Sequence, residues 1–398
     1  MAKKMLFLFV LLLSLTGMLK AQVTTAGMSG KVVADEEAVI GATVVAVHEP
    51  SGTSYGTVTN IDGRFSLQGM RSGGPYKVTV SYVGYQTAIY TGIQLQLGET
   101  YSLNVTLHEA SELLGEITIT ASKSKFSAEK TGATTNISSE QLTTLPSINR
   151  SISDFTRISP YASGNNFGGR DGRSNTFTVD GANLNNNFGL SSNLPGGGNP
   201  ISLDAIDEVQ VVIAPYDVRQ ANFIGAGINA ITKSGTNAYR GSAYMYFNNE
   251  VMRGNKIGNT DFGARAEESK TVYGATLGGP IIKDKLFFFA NVEYEKSPQQ
   301  VVKWRAAQEG ETPNNSTISR ATAADMVEFS QILKDKYGYD TGSFTNFPAN
   351  ITNLKLLGRI DWNIDKGNKL SVRYNFTNNK TWNAPNGSSG NTGYRLAY

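Results

Sequence analysis

Two histidines, His48 and His108, and no cysteine make up this chain's whole stock of the side chains most used to ligate metals or activate nucleophiles. The common zinc ligand sets cannot be assembled from them, and a cysteine nucleophile is absent. A Ser-His-Asp arrangement would need one of the two histidines. Both sit in strand-like settings with no nucleophile elbow beside them. The sequence therefore predicts no catalytic residues, no metal site and no cofactor. Asn60 and Asp62 before Gly63 supply a fragment of a calcium loop, but the remaining ligand positions are missing, and a hairpin turn is the expectation. Gly225-Ala226-Gly227 would serve as a phosphate loop only if a helix followed, and Ile228 to Thr232 reads as a strand.

What remains is chemistry that the backbone itself can do. Glu116-Ile117-Thr118-Ile119-Thr120-Ala121 closes a β-prone run that begins at Leu113 and is followed by polar Ser122-Lys123-Ser124-Lys125. A short extended segment in such a setting can add a strand to a partner's sheet edge, with main-chain hydrogen bonds supplying the affinity. The same residues also read as the last strand of the domain before them, and both placements stay open.

The surrounding elements are mostly strands. From Met28 to Leu107 the chain alternates over Arg64-Phe65-Ser66-Leu67, Tyr76 to Tyr82 and Tyr101 to Leu107, with an apolar β-branched run from Val39 to Val47. Short strands at this spacing predict a small β-sandwich. Between residues 123 and 236 the pattern is mixed. Asn136 to Leu145 is helix-compatible, Thr176 to Val179 is a strand ending at a turn on Asp180-Gly181, and Ile206 to Val212 is another strand. Asn183 to Pro200 is rich in Asn and Gly and offers no core.

Beyond Tyr239 the strands lengthen and their two faces separate. Leu354, Leu356, Gly358, Ile360, Trp362 and Ile364 alternate with Lys355, Leu357, Arg359, Asp361 and Asn363. Leu370, Val372, Tyr374 and Phe376 alternate with Ser371, Arg373 and Asn375, and Leu286, Phe288, Ala290, Val292 and Tyr294 with Phe287, Phe289, Asn291 and Glu293. Apolar-out, polar-in strands of ~10 residues are what lipid demands of a barrel. Tight turns at Pro280 to Lys285 and Asp365 to Asn368 alternate with long polar stretches, Asn248 to Lys270 and Lys296 to Asn353. That alternation is the outer-membrane pattern of short periplasmic turns and long extracellular loops.

The N-terminus predicts export. Lys3 and Lys4 precede an unbroken apolar run from Met5 to Leu13, too short for a spanning helix, and Ala21-Gln22 is a plausible cleavage point. The whole chain carries 36 Lys and Arg against 33 Asp and Glu. Removing Lys3, Lys4 and Lys20 with residues 1–21 leaves 33 against 33, so the basic balance belongs to the signal peptide and argues for no nucleic-acid partner.

Several of these stretches resemble known families. Gly56 to Leu67 (G-T-V-T-N-I-D-G-R-F-S-L) and Val80 to Gln86 resemble the carboxypeptidase-regulatory-like domain, a periplasmic accessory module ahead of the plug in outer-membrane receptors of Bacteroidetes. E-I-T-I-T-A at Glu116 to Ala121 resembles the TonB box of these receptors, written there as E-V-V-V-T-A. Ile206 to Pro215 and Gly225 to Gly235 resemble the plug's I-E-x-I-E-V-x-x-G-P and G-x-x-x-G-G-x-I-N-x-I-T-K-x-G segments, with Ala214 in place of the usual Gly. Gly278-Gly279-Pro280 with Lys283 to Phe289 resembles a barrel hairpin of Oar-like receptors.

The resemblance implies a mainly β chain with a signal peptide (1–21), a periplasmic β-sandwich (22–110), a TonB box and linker (111–125) and an α+β plug (126–236). Residues 237–398 would then be the first strands of a 22-stranded transmembrane barrel. About five strands fit before Tyr398, so the sequence reads as the N-terminal part of such a receptor, a fragment or a truncated gene. The implied partners are TonB through Glu116, Ile117, Thr118, Ile119, Thr120 and Ala121, outer-membrane lipid, and an unidentified extracellular ligand. Ligand contacts are expected on apical plug loops at Arg170, Asp171, Arg173, Asn183, Asn185 and Phe188. SusC-like and Oar-like relatives differ in cargo, and the sequence selects none. A glycan-binding or adhesin-like surface protein without transport is the alternative.

Overall fold

The computed structural model describes residues 23–109, 117–120, 133–147, 150–185, 194, 199–215, 220–221, 223–261, 268–300, 305–313, 318–342, 348–365 and 367–381. The expected signal peptide lies outside them. The chain divides into two compact units: Met1–Gly241 with Thr276–Ala290 and Leu357–Tyr374, and Ser242–Ala275 with Asn291–Leu356 and Asn375–Tyr398.

The first unit begins with ten strands: β1 (Ala26–Ala34), β2 (Glu37–Ala38), β3 (Thr43–His48), β4 (Thr53–Val58), β5 (Arg64–Met70), β6 (Gly73–Ser81), β7 (Ala88–Leu95), β8 (Thr100–Ser102), β9 (Val105–Leu107) and β10 (Ile117–Thr120). They form two sheets. β1 is central in one, antiparallel to β2 and β5 and parallel to β8 and β9. The other runs β10-β7-β6-β3-β4. Period-two alternation sends Val44 and Ala46 of β3 and Tyr76, Val78 and Val80 of β6 into a core shared with Met28, Val32, Phe65 and Leu67. The sandwich expectation holds.

The turn at Asn60 differs from the hairpin expected. It is tight, because Asn60 Oδ1 accepts from the Asp62 and Arg64 amides at 3.0 and 2.8 Å. Yet β4 pairs with β3 while β5 pairs with β1, so the turn carries the chain from one sheet to the other. Gly63 sits at φ +70°, and a Cβ there would stand 2.6 Å from the Val32 carbonyl oxygen.

The region expected to be the plug follows with β11 (Ala133–Ser138), α1 (Ser139–Thr144), α2 (Ile152–Thr156), β12 (Ala162–Ser163), β13 (Asn166–Phe167), β14 (Thr176–Val179), β15 (Ala182–Asn183), β16 (Ile206–Ala214) and β17 (Gly227–Thr232). The helix-compatible stretch from Asn136 is split, its first residues joining β11. Ser138 ends that strand and caps α1 through a reciprocal box with Gln141. The sheet runs β11-β16-β17-β14-β15, with β14 and β17 parallel and the rest antiparallel. A strand does follow Gly225-Ala226-Gly227, so these residues form no phosphate loop. Because β16 is covered on both sides, Val209 and Val211 enter the plug core while Glu208 and Gln210 are buried on the opposite face.

Five long strands complete the description: β18 (Arg240–Asn249), β21 (Ser269–Ile282), β22 (Leu286–Gln300), β25 (Pro348–Asn363) and β26 (Lys369–Lys380) form one sheet in that order. Between them come two short pairs, β19 (Lys256–Ile257) with β20 (Thr260–Asp261), and β23 (Arg305–Ala307) with β24 (Ile318–Thr322). The long excursion before β25, expected to be polar loop, also holds a helix, α3 (Ala323–Tyr337). Thr322 and Asp325 make its capping box, and Gly338 ends it at φ +64°.

Candidate functional site

The strand-adding segment has a definite seat. β10 lies parallel on β7, with Ile117 opposite Ala88 and Thr120 opposite Thr91, as the outermost strand of the sandwich's second sheet. Glu116 and Ala121 lie outside the described residues. Of the two placements left open by the residues, this chain adopts the one on the preceding domain.

A second feature is a chain of charges joining the plug to the polar side of two long strands. Asp180 ends β14 at φ +49°, in the left-handed region that Asp tolerates better than most residues. That turn aims its carboxylate at the end of β17, where it accepts from the Thr232 amide at 3.0 Å and the Thr232 hydroxyl at 2.6 Å. Arg373 of β26 stands 3.5 Å from the same carboxylate, close enough for ion pairing but too open for a hydrogen bond through Nε. Arg359 of β25 donates to the Thr232 carbonyl and, at 2.7 Å, to Asp361. Asp361 also accepts from Ser371 at 2.6 Å and from Arg71 of the sandwich at 3.3 Å. Charges this deeply buried stay ionised only if paired, so each is a constraint on the others. Among these residues the sequence had placed Arg359, Asp361, Ser371 and Arg373 on a polar face and Asp180 at a turn. Arg71 carried no signal.

The sandwich also grips the plug directly. Both Glu208 oxygens accept from the Leu97 amide, at 3.0 and 3.1 Å, and Gln210 donates to the Leu97 carbonyl. Asn136 and Thr134 of β11 donate to Glu99 at 3.1 and 3.3 Å. Gly98, between these contacts, lies at φ +69°, and a Cβ there would fall 2.8 Å from the Gln210 amide. Burial pushes the Glu208 carboxyl up to about 8, against the stabilising pull of the Leu97 amide, with the neighbouring Asp207 and Glu99 charges adding to the rise.

The expected ligand contacts fall into two groups. Arg170, Asp171 and Arg173 are exposed on one loop, where Arg173 holds the Asp171 carboxyl below its ordinary range through a 2.9 Å hydrogen bond. Asn183 and Asn185 bond within the plug instead: Asn185 accepts from the Phe177 amide and donates to the Asn175 carbonyl, both at 2.6 Å, and Asn183 accepts from the Asn185 amide. Phe188 lies outside the described residues. His48, the candidate for nucleophile activation, is buried against Ser51 at 2.7 Å, and desolvation lowers it to about 3. It is neutral, and Ser51 is fully buried with it, so the pair packs the sandwich.

The long strands are inside-out relative to a soluble sheet. On β25, Asn353, Lys355, Leu357, Arg359 and Asp361 are buried, while Ile360 is 47% and Trp362 45% exposed. On β22, Asn291, Glu293 and Ser297 are buried, whereas Val292 and Tyr294 are exposed. Charges on the buried face are paired there: Lys355 donates to Glu293 at 2.8 Å, and Tyr244 donates to Glu293 at 2.8 Å. Among the described residues no helix is long and apolar enough to cross a membrane. A strand that hides lysine and shows tryptophan suits lipid outside and a polar interior.

Comparison with known proteins agrees. Residues 27–108 match the carboxypeptidase regulatory-like domain family, and residues 231–397 the outer membrane beta barrel domain family. The TonB-dependent transporter Oar of Myxococcus xanthus is 24% identical over 347 residues, which are 81% of this chain and 30% of that relative. These matches support a TonB-dependent receptor of the outer membrane. The chain spans 30% of the length of that curated relative. The siderophore receptor PirA of Acinetobacter baumannii aligns with 64% of this chain and 33% of its own, at 18% identity and a TM-score of 0.42. The outer membrane transporter YddB of Escherichia coli aligns with 64% and 34%, at 13% and 0.40. These relatives are transporters and receptors rather than enzymes.

Proposed function

We propose that this chain forms the gate and the energy-coupling end of an active transporter, in which TonB pairs with Glu116 to Ala121 and the plug moves to admit a large ligand. The observation that supports this best is the ionic chain from Asp180 through Thr232 and Arg359 to Asp361. It fastens a small mixed sheet to the polar face of lipid-facing strands, as a plug must be fastened in a pore. Buried, paired charges of this kind hold one arrangement firmly, yet they can be exchanged for water when force is applied. Arg170, Asp171 and Arg173 form an exposed loop of both charge signs suited to first contact with an extracellular ligand, and Asn183, Asn185 and Phe188 would shape the neighbouring loop. A surface-binding sandwich without transport would have no use for such strands. Deleting residues 116–121 from the full-length receptor is expected to abolish ligand uptake while leaving surface display and ligand binding unchanged. Undiminished uptake would overturn the coupling role.

A further inference from the structure

The sandwich touches more than the plug. Its β3–β4 turn, residues 49–52, meets the turn end of the long strands. The Asn237 amide donates to the Pro50 carbonyl at 2.8 Å, and Asn363 donates to the Thr53 hydroxyl at 3.0 Å. Thr53 can then donate to Ser51 at 2.8 Å and Ser51 to the neutral His48 ring at 2.7 Å, so the buried histidine sets the shape of this turn. Lys369 lies 3.3 Å over the Tyr55 ring. Gly52 is held at φ +62°, and a Cβ there would collide with the Asp284 carboxylate, so only glycine permits this approach. Arg71 adds its bond to Asp361.

We propose that the sandwich is a lock on the plug. It holds the plug through Leu97 and Glu99, holds the turn end of the long strands through residues 50–55 and 71, and must leave the strands before the plug can. The two grips differ as such a lock requires. On the plug side Leu97, Glu208 and Gln210 are all buried, and both polar groups of the Leu97 peptide are taken by side chains of β16. Parting them would strand polar groups away from water. On the strand side Asn363 is half-buried and Lys369 is exposed, so water can replace what they lose. Asp361 keeps Arg359 and Ser371 when Arg71 withdraws. The sandwich therefore releases the strands first and travels with the plug. The inference rests on the transporter reading only in its uptake measurement.

The chain contains no cysteine, so a pair can be introduced cleanly. A Cβ at Gly52 would stand 3.4 Å from that of Asp284, close to the ~3.8 Å that a disulfide spans. In the full-length receptor, G52C/D284C should couple under mild oxidation. Closing the disulfide is expected to slow hydrogen exchange at the Thr232 amide at least tenfold relative to the same receptor reduced, and to stop uptake reversibly. Thiols that do not couple would overturn the docked position. Unchanged Thr232 exchange with the disulfide closed would overturn the lock. Where that pair disturbs folding, T53V/K369Q loosens the strand side from outside the ionic chain. Thr232 exchange should then quicken at least threefold while Leu97 exchange stays as in the parent; unchanged Thr232 exchange, or Leu97 exchange quickened equally, would overturn the proposal. A parent receptor that imports nothing would sink the transporter reading and leave both exchange measurements to decide the lock. Uptake that continues with the disulfide closed would overturn the lock alone.

Discussion

Replacing Glu208 with glutamine should make the joint between sandwich and plug insensitive to this carboxyl's titration. Glu208 is buried on β16 with its carboxyl against the Leu97 amide, and its proton affinity rises from an ordinary 4.5 to about 8 when the two surfaces are together. Below 4.5 the group is protonated whether the joint is closed or open, and closure is strongest. Between 4.5 and about 8 the open form loses its proton while the closed form keeps it, so closure weakens as pH rises; above about 8 the loss is complete. At about 1.4 kcal/mol per pH unit, that interval corresponds to on the order of 4–5 kcal/mol. Glu208→Gln keeps an oxygen for Leu97 and never ionises, so it should close more tightly than the parent at pH 7.5 and lose this part of the pH slope. Asp207, which burial also raises, retains its own contribution. The assay is hydrogen exchange at the Leu97 amide of the full-length receptor between pH 5 and 8.5, corrected for intrinsic rates. An unchanged slope in the variant, or a parent joint that tightens as pH rises, would refute the reasoning.

Other substitutions follow from the same geometry. Ile360→Arg puts a cation on the lipid-facing side of β25 and should cost roughly 2–4 kcal/mol of insertion near the bilayer midplane, read as loss of the heat-modifiable folded band. Asp180→Ala removes the acceptor for the Thr232 amide and hydroxyl and the counter-ion of Arg373; Thr232 exchange should quicken at least a hundredfold, as expected when about 3 kcal/mol is lost from a buried pair, while the folded band persists. Arg170→Ala with Arg173→Ala should weaken ligand binding at least tenfold at unchanged surface level, and unchanged binding would remove this loop from the contact site.

The features visible in the sequence were those governed by local rules. Alternation along Leu354 to Ile364 announced both faces of β25, because a lipid-facing strand must separate its side chains residue by residue. Thr176 to Val179 and Ile206 to Val212 were equally plain, being β-branched runs bounded by turns. The helix α3 was missed although its signals were present, Thr322 with Asp325 at one end and Gly338 at the other, because the stretch's polarity was read as loop. The switch of sheets at Asn60 could not be seen, since the same turn residues serve a hairpin and a crossover. Pairings distant in sequence were also hidden. Arg71 meets Asp361 across 290 residues, and nothing near Arg71 points to a partner. The seat of β10 on β7 is likewise a choice between edges, which four residues of strand-forming sequence do not encode.

The most direct test of the proposed coupling role is whether residues 116–121 meet TonB in living cells. A single cysteine at Thr118 of the full-length receptor, with cysteines along the exposed strand of TonB's periplasmic domain, should give a disulfide-linked adduct that increases when ligand is added. It should vanish when residues 116–121 are replaced by a Gly-Ser stretch carrying the same cysteine. Ligand-saturated receptor that transports its cargo yet yields no adduct at any TonB position would contradict it.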